Sequence, residues 1–142
     1  MDRTITNTVF FLFLLSMNFA HQIGAETKFM GKHTIHIYNR LPEKSNPLYL
    51  HCASKDDDFG DHTYYSGQTF TWNFRVNFWG TTLYFCSFSW KNYVRKFEVF
   101  RAGWDGDSYR HTYSYIVNNE GIYLGYGDNP TSDLTEILSW DD

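Results

Sequence analysis

Between residues 68 and 76 the chain reads QTFTWNFRV, and every second position is apolar. Phe70, Trp72, Phe74 and Val76 share one face, and Thr71, Asn73 and Arg75 share the other. A repeat of two is the mark of a half-buried strand. The same alternation occurs in HTIHIYNRL (33–41), where Ile35 and Ile37 alternate with Thr34 and His36. PLYLHCAS (47–54) puts Leu48, Leu50 and Cys52 on one face and Tyr49 and His51 on the other. VRKFEVF (94–100) groups Phe97 with Val99. YRHTYSYIV (109–117) alternates Tyr109, His111, Tyr113 and Tyr115 with Arg110, Thr112 and Ser114. HTYY (62–65) reads as a short edge strand, and GIYLGY (121–126) and LTEILSW (134–140) close the chain.

TTLYFCSFSW (81–90) is apolar on both faces, so its period does not orient it. If Cys86 points into the core to meet Cys52, Tyr84, Phe88 and Trp90 follow it inward, and Leu83 and Phe85 face out. A slip of one residue would turn every side chain over. Between these runs lie turn signals: Pro42 and Pro47, Ser66-Gly67, Asn77 to Gly80, the Gly/Asp-rich 102–108, and Asn118 to Gly121. No helix longer than two turns is predicted. The pattern specifies an all-β fold, a small antiparallel β-sandwich of about seven or eight strands.

The first 25 residues break this pattern. A basic start at Arg3 precedes VFFLFLLSMNF (9–19), and the small residues Gly24 and Ala25 follow. The apolar run has the length of a signal-peptide core and is too short for a membrane-spanning helix. Cleavage is expected after Ala25, leaving one domain over 26–142, secreted and extracellular, with no membrane insertion after cleavage. The competing reading, a buried amphipathic helix, lacks a polar face. The net charge of −4 gives no electrostatic reason to bind nucleic acid or anionic lipid. In an oxidising compartment the two cysteines, Cys52 and Cys86, are expected to form one disulfide, the alternative being two buried thiols.

The candidate chemistry gathers in HCASKDDDFGDH (51–62). An EF-hand is excluded: counted from Asp56, the glycine falls one place early and the twelfth position is Gly67 rather than Glu. A non-EF calcium site from Asp56, Asp58 and Asp61 stays open at this stage. A zinc site from His51, Cys52 and His62 is disfavoured, because neighbouring strand residues face opposite ways. There is no Gly-x-Ser-x-Gly nucleophile elbow, and adjacent aspartates make a solvated loop more readily than a catalytic pair. The expectation is no enzyme, no cofactor and no metal. The stretch 56–61 reads as a charged turn, with Gly60 supplying a positive φ.

HTIHIYNRL, LHCASKDDDFGDH, TFTWNFRVNFWGTTLYFCSFSW, KFEVF and EGIYLGY, in this order, resemble the plant self-incompatibility protein family, the S-protein homologues. The resemblance covers nearly all of 26–142. It implies a small secreted β-sandwich without enzymatic activity; in poppy, members are stigma-secreted ligands recognised by a pollen-surface receptor to reject self pollen. Cys52 and Cys86 match the family's conserved cysteines. A further cysteine pair found in many members is missing, since DSYRHTYSYIVNNEG (107–121) contains none.

The leading expectation is therefore a monomeric extracellular ligand for a plasma-membrane receptor. It would present Asp56, Asp57, Asp58 and Asp61 on one loop, Phe78 and Trp79 on a second, and Trp104 and Asp105 on a third, 103–107. The alternative is a carbohydrate-binding module stacking sugars on Trp79, Trp104 and Tyr126. A third reading is a hydrolase with His62 or His111 as base.

Overall fold

The computed structural model describes residues 31–104 and 110–141. The expected signal segment, its cleavage position and Asp105 lie outside the described residues. Nine strands are formed: β1 (Lys32–Asn39), β2 (Leu48–Ala53), β3 (Asp58–Tyr64), β4 (Thr69–Arg75), β5 (Leu83–Trp90), β6 (Tyr93–Arg101), β7 (Thr112–Val117), β8 (Gly121–Tyr126) and β9 (Thr135–Ser139). They make a five-stranded sheet, β4-β1-β7-β8-β9, and a four-stranded sheet, β3-β2-β5-β6.

The two sheets enclose one core. Ile35, Ile37, Trp72, Phe74, Tyr113, Tyr115 and Ile122 come from the first sheet, and Leu48, Leu50, Cys52, Tyr84, Cys86, Phe88 and Val99 from the second. Rings meet across the gap: Phe74 and Tyr84 have centroids 4.7 Å apart, and Phe97 and Tyr115 5.6 Å. The Tyr115 hydroxyl crosses to donate to the Val99 carbonyl at 2.6 Å. β5 takes the orientation expected from Cys86, with Tyr84, Cys86, Phe88 and Trp90 buried and Phe85 exposed. Cys52 and Cys86 form the disulfide from paired positions on β2 and β5.

Four features depart from the alternating pattern. The sandwich is not wholly antiparallel, because β1 pairs with β7 in parallel from Thr34↔Thr112 to Asn39↔Val117. The strands among the described residues number nine, where about seven or eight were expected. β6 carries a bulge opposite Tyr84/Phe85, which turns Phe100 inward alongside Val99. β7 is buried on both faces: Ser114 and Ile116, on its outer side, are shielded as completely as Tyr113 and Tyr115.

The cover over β7 is the segment 127–134. Ser114 Oγ donates to the Gly127 carbonyl, the Asn129 N–H donates to Tyr38 Oη at 2.8 Å, and Arg40 reaches the Pro130 carbonyl and Asn129 Oδ1. His36 Nε2 pairs with Asp128 Oδ1 at 2.9 Å. Pro130 and Leu134 lie against Gly125 so closely that a Cβ there would stand 2.6–2.7 Å from their side-chain carbons.

Candidate functional site

Strand direction decides where the loops lie. β2 ends at Ala53, opposite Phe85 near the start of β5, and β6 ends at Arg101, opposite Leu83. β4 ends at Arg75, opposite Lys32 at the start of β1. The connections 54–57, 76–82 and the start of 102–111 therefore leave the sandwich at the same end. The described turn residues of the three stretches singled out from the sequence, 54–57, 76–82 and 102–104, lie at that end.

The second of them is the most exposed. Phe78 is 57% and Trp79 80% exposed, and their rings meet edge to face at 5.2 Å. The loop under them is tied by one side chain. Asn77 Oδ1 accepts the Thr81 N–H at 2.9 Å, and Asn77 Nδ2 donates to Thr81 Oγ1 at 2.9 Å. The Asn77 N–H donates to Thr82 Oγ1 at 2.8 Å, and Gly80, with φ of 68°, returns its N–H to the Asn77 carbonyl. The Thr82 carbonyl accepts the Ala102 N–H, which joins this loop to the third. There Trp104 leans on Phe100 and Tyr113, with centroids 6.1 and 6.0 Å away.

The aspartate stretch differs from the expected single turn. Only 54–57 is a turn, closed by the Ser54 N–H to the Asp57 carbonyl at 2.7 Å and the Asp57 N–H to Ser54 Oγ at 3.1 Å. Asp58 and Asp61 belong to β3, a seven-residue edge strand longer than the HTYY segment predicts. The cause is a bulge. β2 register passes from His51↔Asp61 to Ala53↔Asp58, so Phe59 and Gly60 together stand opposite Cys52. Gly60 takes a φ of 75°, which glycine adopts at little steric cost, and its N–H donates to Asp58 Oδ1 at 2.9 Å.

The four aspartates have different surroundings. Asp56 and Asp57 are exposed on the turn. Asp57 Oδ2 accepts a long hydrogen bond, 3.4 Å, from the buried Tyr84 hydroxyl, whose pKa is pushed up first by burial and then by that carboxylate. Asp58 and Asp61 instead close on His51 from either side, at 2.5 Å to Nε2 and 2.9 Å to Nδ1. They point to opposite edges of one ring, so they do not converge with Asp56 on a common cation. Cys52, on the other face of β2, is fully buried in its disulfide, and His51 and Cys52 share no ligand position.

Sequence reasoning weighed His51 only as a zinc ligand and missed its pairing with Asp58 and Asp61. Strand alternation places it on the outer face, but the hairpin register that sets Asp61 opposite it depends on the Gly60 bulge. The two histidines weighed as bases meet no carboxylate among the described residues. His62 Nε2 lies 2.7 Å from the Phe59 carbonyl, and His111 packs on His33 with ring centroids 5.0 Å apart. Of the three rings considered as sugar platforms, Tyr126 is covered by the Arg110 guanidinium, 3.8 Å from its centroid.

Residues 34–140 match the family model described as plant self-incompatibility protein S1. S-protein homolog 2 of Arabidopsis thaliana is 44% identical over 71 residues, which cover 50% of this chain and 44% of that protein. S-protein homolog 6 of the same plant is 41% identical over 96 residues, covering 66% of each. The chain thus spans about half the length of the first of these relatives and two thirds of the second. A solved structure of an SPH (Self-Incompatibility Protein Homologue), a family described as widespread, small, highly stable, secreted proteins from plants, superposes with a TM-score of 0.57 at 20% identity. The superposition covers 72% of this chain and 91% of that one, a likeness of fold.

Proposed function

The chain belongs to the plant self-incompatibility protein S1 family, and from that premise we propose that it is a secreted, monomeric protein ligand read by a plasma-membrane receptor through the loop-bearing end of its sandwich. The observation that carries this reading is the Phe78–Trp79 pair. A tryptophan four-fifths exposed on a loop tied by Asn77 gains nothing for folding from its exposed surface. Rigid aromatic side chains that lose little entropy on docking are the residues that dominate protein interfaces. The apolar leader at 9–19 and the secreted character of the solved SPH support export. Action in the rejection of self pollen is the specific form of this reading, and added protein would then arrest pollen tubes of matching genotype.

The test is binding of the labelled secreted protein to plant plasma-membrane vesicles. Saturable binding, competed by unlabelled protein, is expected; binding that never saturates on vesicles from any tissue would remove the proposal. The carbohydrate-binding alternative is not favoured, because Tyr126 lies under Arg110 and Trp104 packs on Phe100 and Tyr113.

A further inference from the structure

His51 sits on the outer face of β2 with a carboxylate at each ring nitrogen. Only the imidazolium form donates from both nitrogens. A neutral ring must turn a lone pair toward one of the carboxylates. We propose that Asp58, His51 and Asp61 form a proton-operated latch that holds edge strand β3, and with it the carboxylate turn 54–57, against β2.

The latch lies at an interruption in the ladder of an edge strand. β3 has a strand neighbour on one side only, and its pairing with β2 skips at Phe59 and Gly60. Asp58 and Asp61 straddle that skip, so the two side-chain bonds to His51 bridge the stretch where pairing is interrupted. The surroundings leave the charge of His51 to these two groups. Across β2 on the β5 side stands Ser87, and Lys96 of β6 lies beyond it in the same row. Tyr49 shares the outer face of β2 with His51, in a groove also lined by Thr63 and Ser89. The His62 ring turns away onto Phe70. Lys55, Asp56 and Asp57 occupy the adjoining turn.

The electrostatics agree with the geometry. The hydrogen bond that His51 donates to Asp58, with the one to Asp61 adding to it, holds the His51 pKa above the ordinary histidine value. The Gly60 N–H, then His51, hold Asp58 below the ordinary carboxylate value. Stabilisation from His51 is complete below its unfolded value of about 6.5 and disappears as pH rises through the raised folded value. The contribution of Asp58 is present above about 3.9 and disappears as pH falls through its lowered folded value. The latch is therefore closed below about pH 6.5 and opens as pH rises through the raised His51 value. Over 51–61, four aspartates set against Lys55 and a charged His51 leave two negative charges; loss of the proton leaves three.

This latch stands or falls independently of any receptor. The experiment follows the His51 ring by NMR and the β3 amides by hydrogen exchange in the secreted protein between pH 5 and 9, with exchange corrected for its intrinsic pH dependence. His51 should titrate with a midpoint above about 6.5, and β3 protection should fall by about tenfold per pH unit between about 6.5 and that midpoint and then level off. Asp61→Asn should lower the midpoint and shrink the step. His51→Gln, whose amide does not titrate, should keep the fold and abolish the step. Constant β3 protection from about pH 6.5 up to the His51 midpoint, or a step that survives in His51→Gln, would overturn the proposal.

Discussion

Asn39, on β1 of one sheet, donates its side-chain Nδ2 to the backbone carbonyl of Tyr64, on β3 of the other, at 2.9 Å. Its Oδ1 accepts the Leu41 N–H at 3.0 Å, and the residue is 1% exposed. One buried amide thus ties the sheets together at the end opposite the 54–57 and 76–82 connections. Asn39→Ala strands a buried carbonyl and a buried N–H. It should destabilise the protein by about 2–4 kcal/mol, since each orphaned group costs about 1–3 kcal/mol. Chemical denaturation with an unchanged m-value is the measurement. A loss below half a kilocalorie, on the order of the surface-mutation background, would show that water replaces both bonds.

The Cys52–Cys86 bond closes a 34-residue separation between directly paired strands. On the chain-entropy account its removal should cost about 3–4 kcal/mol. Cys52→Ala/Cys86→Ala should keep the far-ultraviolet strand signal at low temperature and melt well below the parent. With only this bridge in the chain, reducing agent should lower the melting temperature of the parent to that of the variant.

Two glycines of β8 separate backbone from side-chain crowding. A Cβ on Gly121 would lie 2.1 Å from the Leu138 carbonyl oxygen of β9, which cannot withdraw without unpairing the strand. A Cβ on Gly125 meets Leu134 and Pro130, whose side chains can move. Gly121→Ala should cost about 3 kcal/mol or more and Gly125→Ala about 1–3 kcal/mol. Adding Leu134→Ala should recover part of the second loss and none of the first. Equal losses at the two sites in thermal melts would contradict the distinction.

Phe78→Ala and Trp79→Ala should leave stability within about 0.5 kcal/mol of the parent, because both rings already face solvent. Under the proposed function each should weaken vesicle binding by about 2 kcal/mol, roughly thirtyfold. Asn77→Ala, which leaves both rings in place and unties the loop, should weaken binding less than either and slow association. Unchanged affinity in the Phe78/Trp79 double variant would move the contact surface elsewhere.

Much of the sandwich was legible in the chain. The faces of β1, β2, β4 and β5 follow from apolar residues at every second place, and Cys86 oriented the one strand whose pattern was ambiguous. What stayed hidden depends on distant partners. Ser114 and Ile116 are buried on the outer face of β7, where Ser114 bonds the Gly127 carbonyl of a segment distant in sequence, and nothing within 112–117 announces that cover. The parallel pairing of β1 with β7 joins segments far apart in sequence. At the candidate site, the loops were found because Gly, Asn and Asp mark turns. The split of the aspartates into a turn pair and a strand pair was missed because a bulge shifts register by one residue and leaves composition unchanged.

The parallel β1–β7 pair also bears on the order of assembly. β2, β3, β5 and β6 all lie between residues 48 and 101, and each pairs with a strand in that span. β1 sits inside the other sheet and gains its second neighbour only at residues 112–117. As the chain emerges N-terminus first, β1 can pair with β4 once residue 75 is made, but its other edge must wait for residues 112–117. The disulfide-bearing sheet is expected to form first and serve as the template on which the late strands dock. Completion of the second sheet, with its long-range contacts, should then be the slow step of folding. The first of the nine described strands would be among the last to gain both its neighbours.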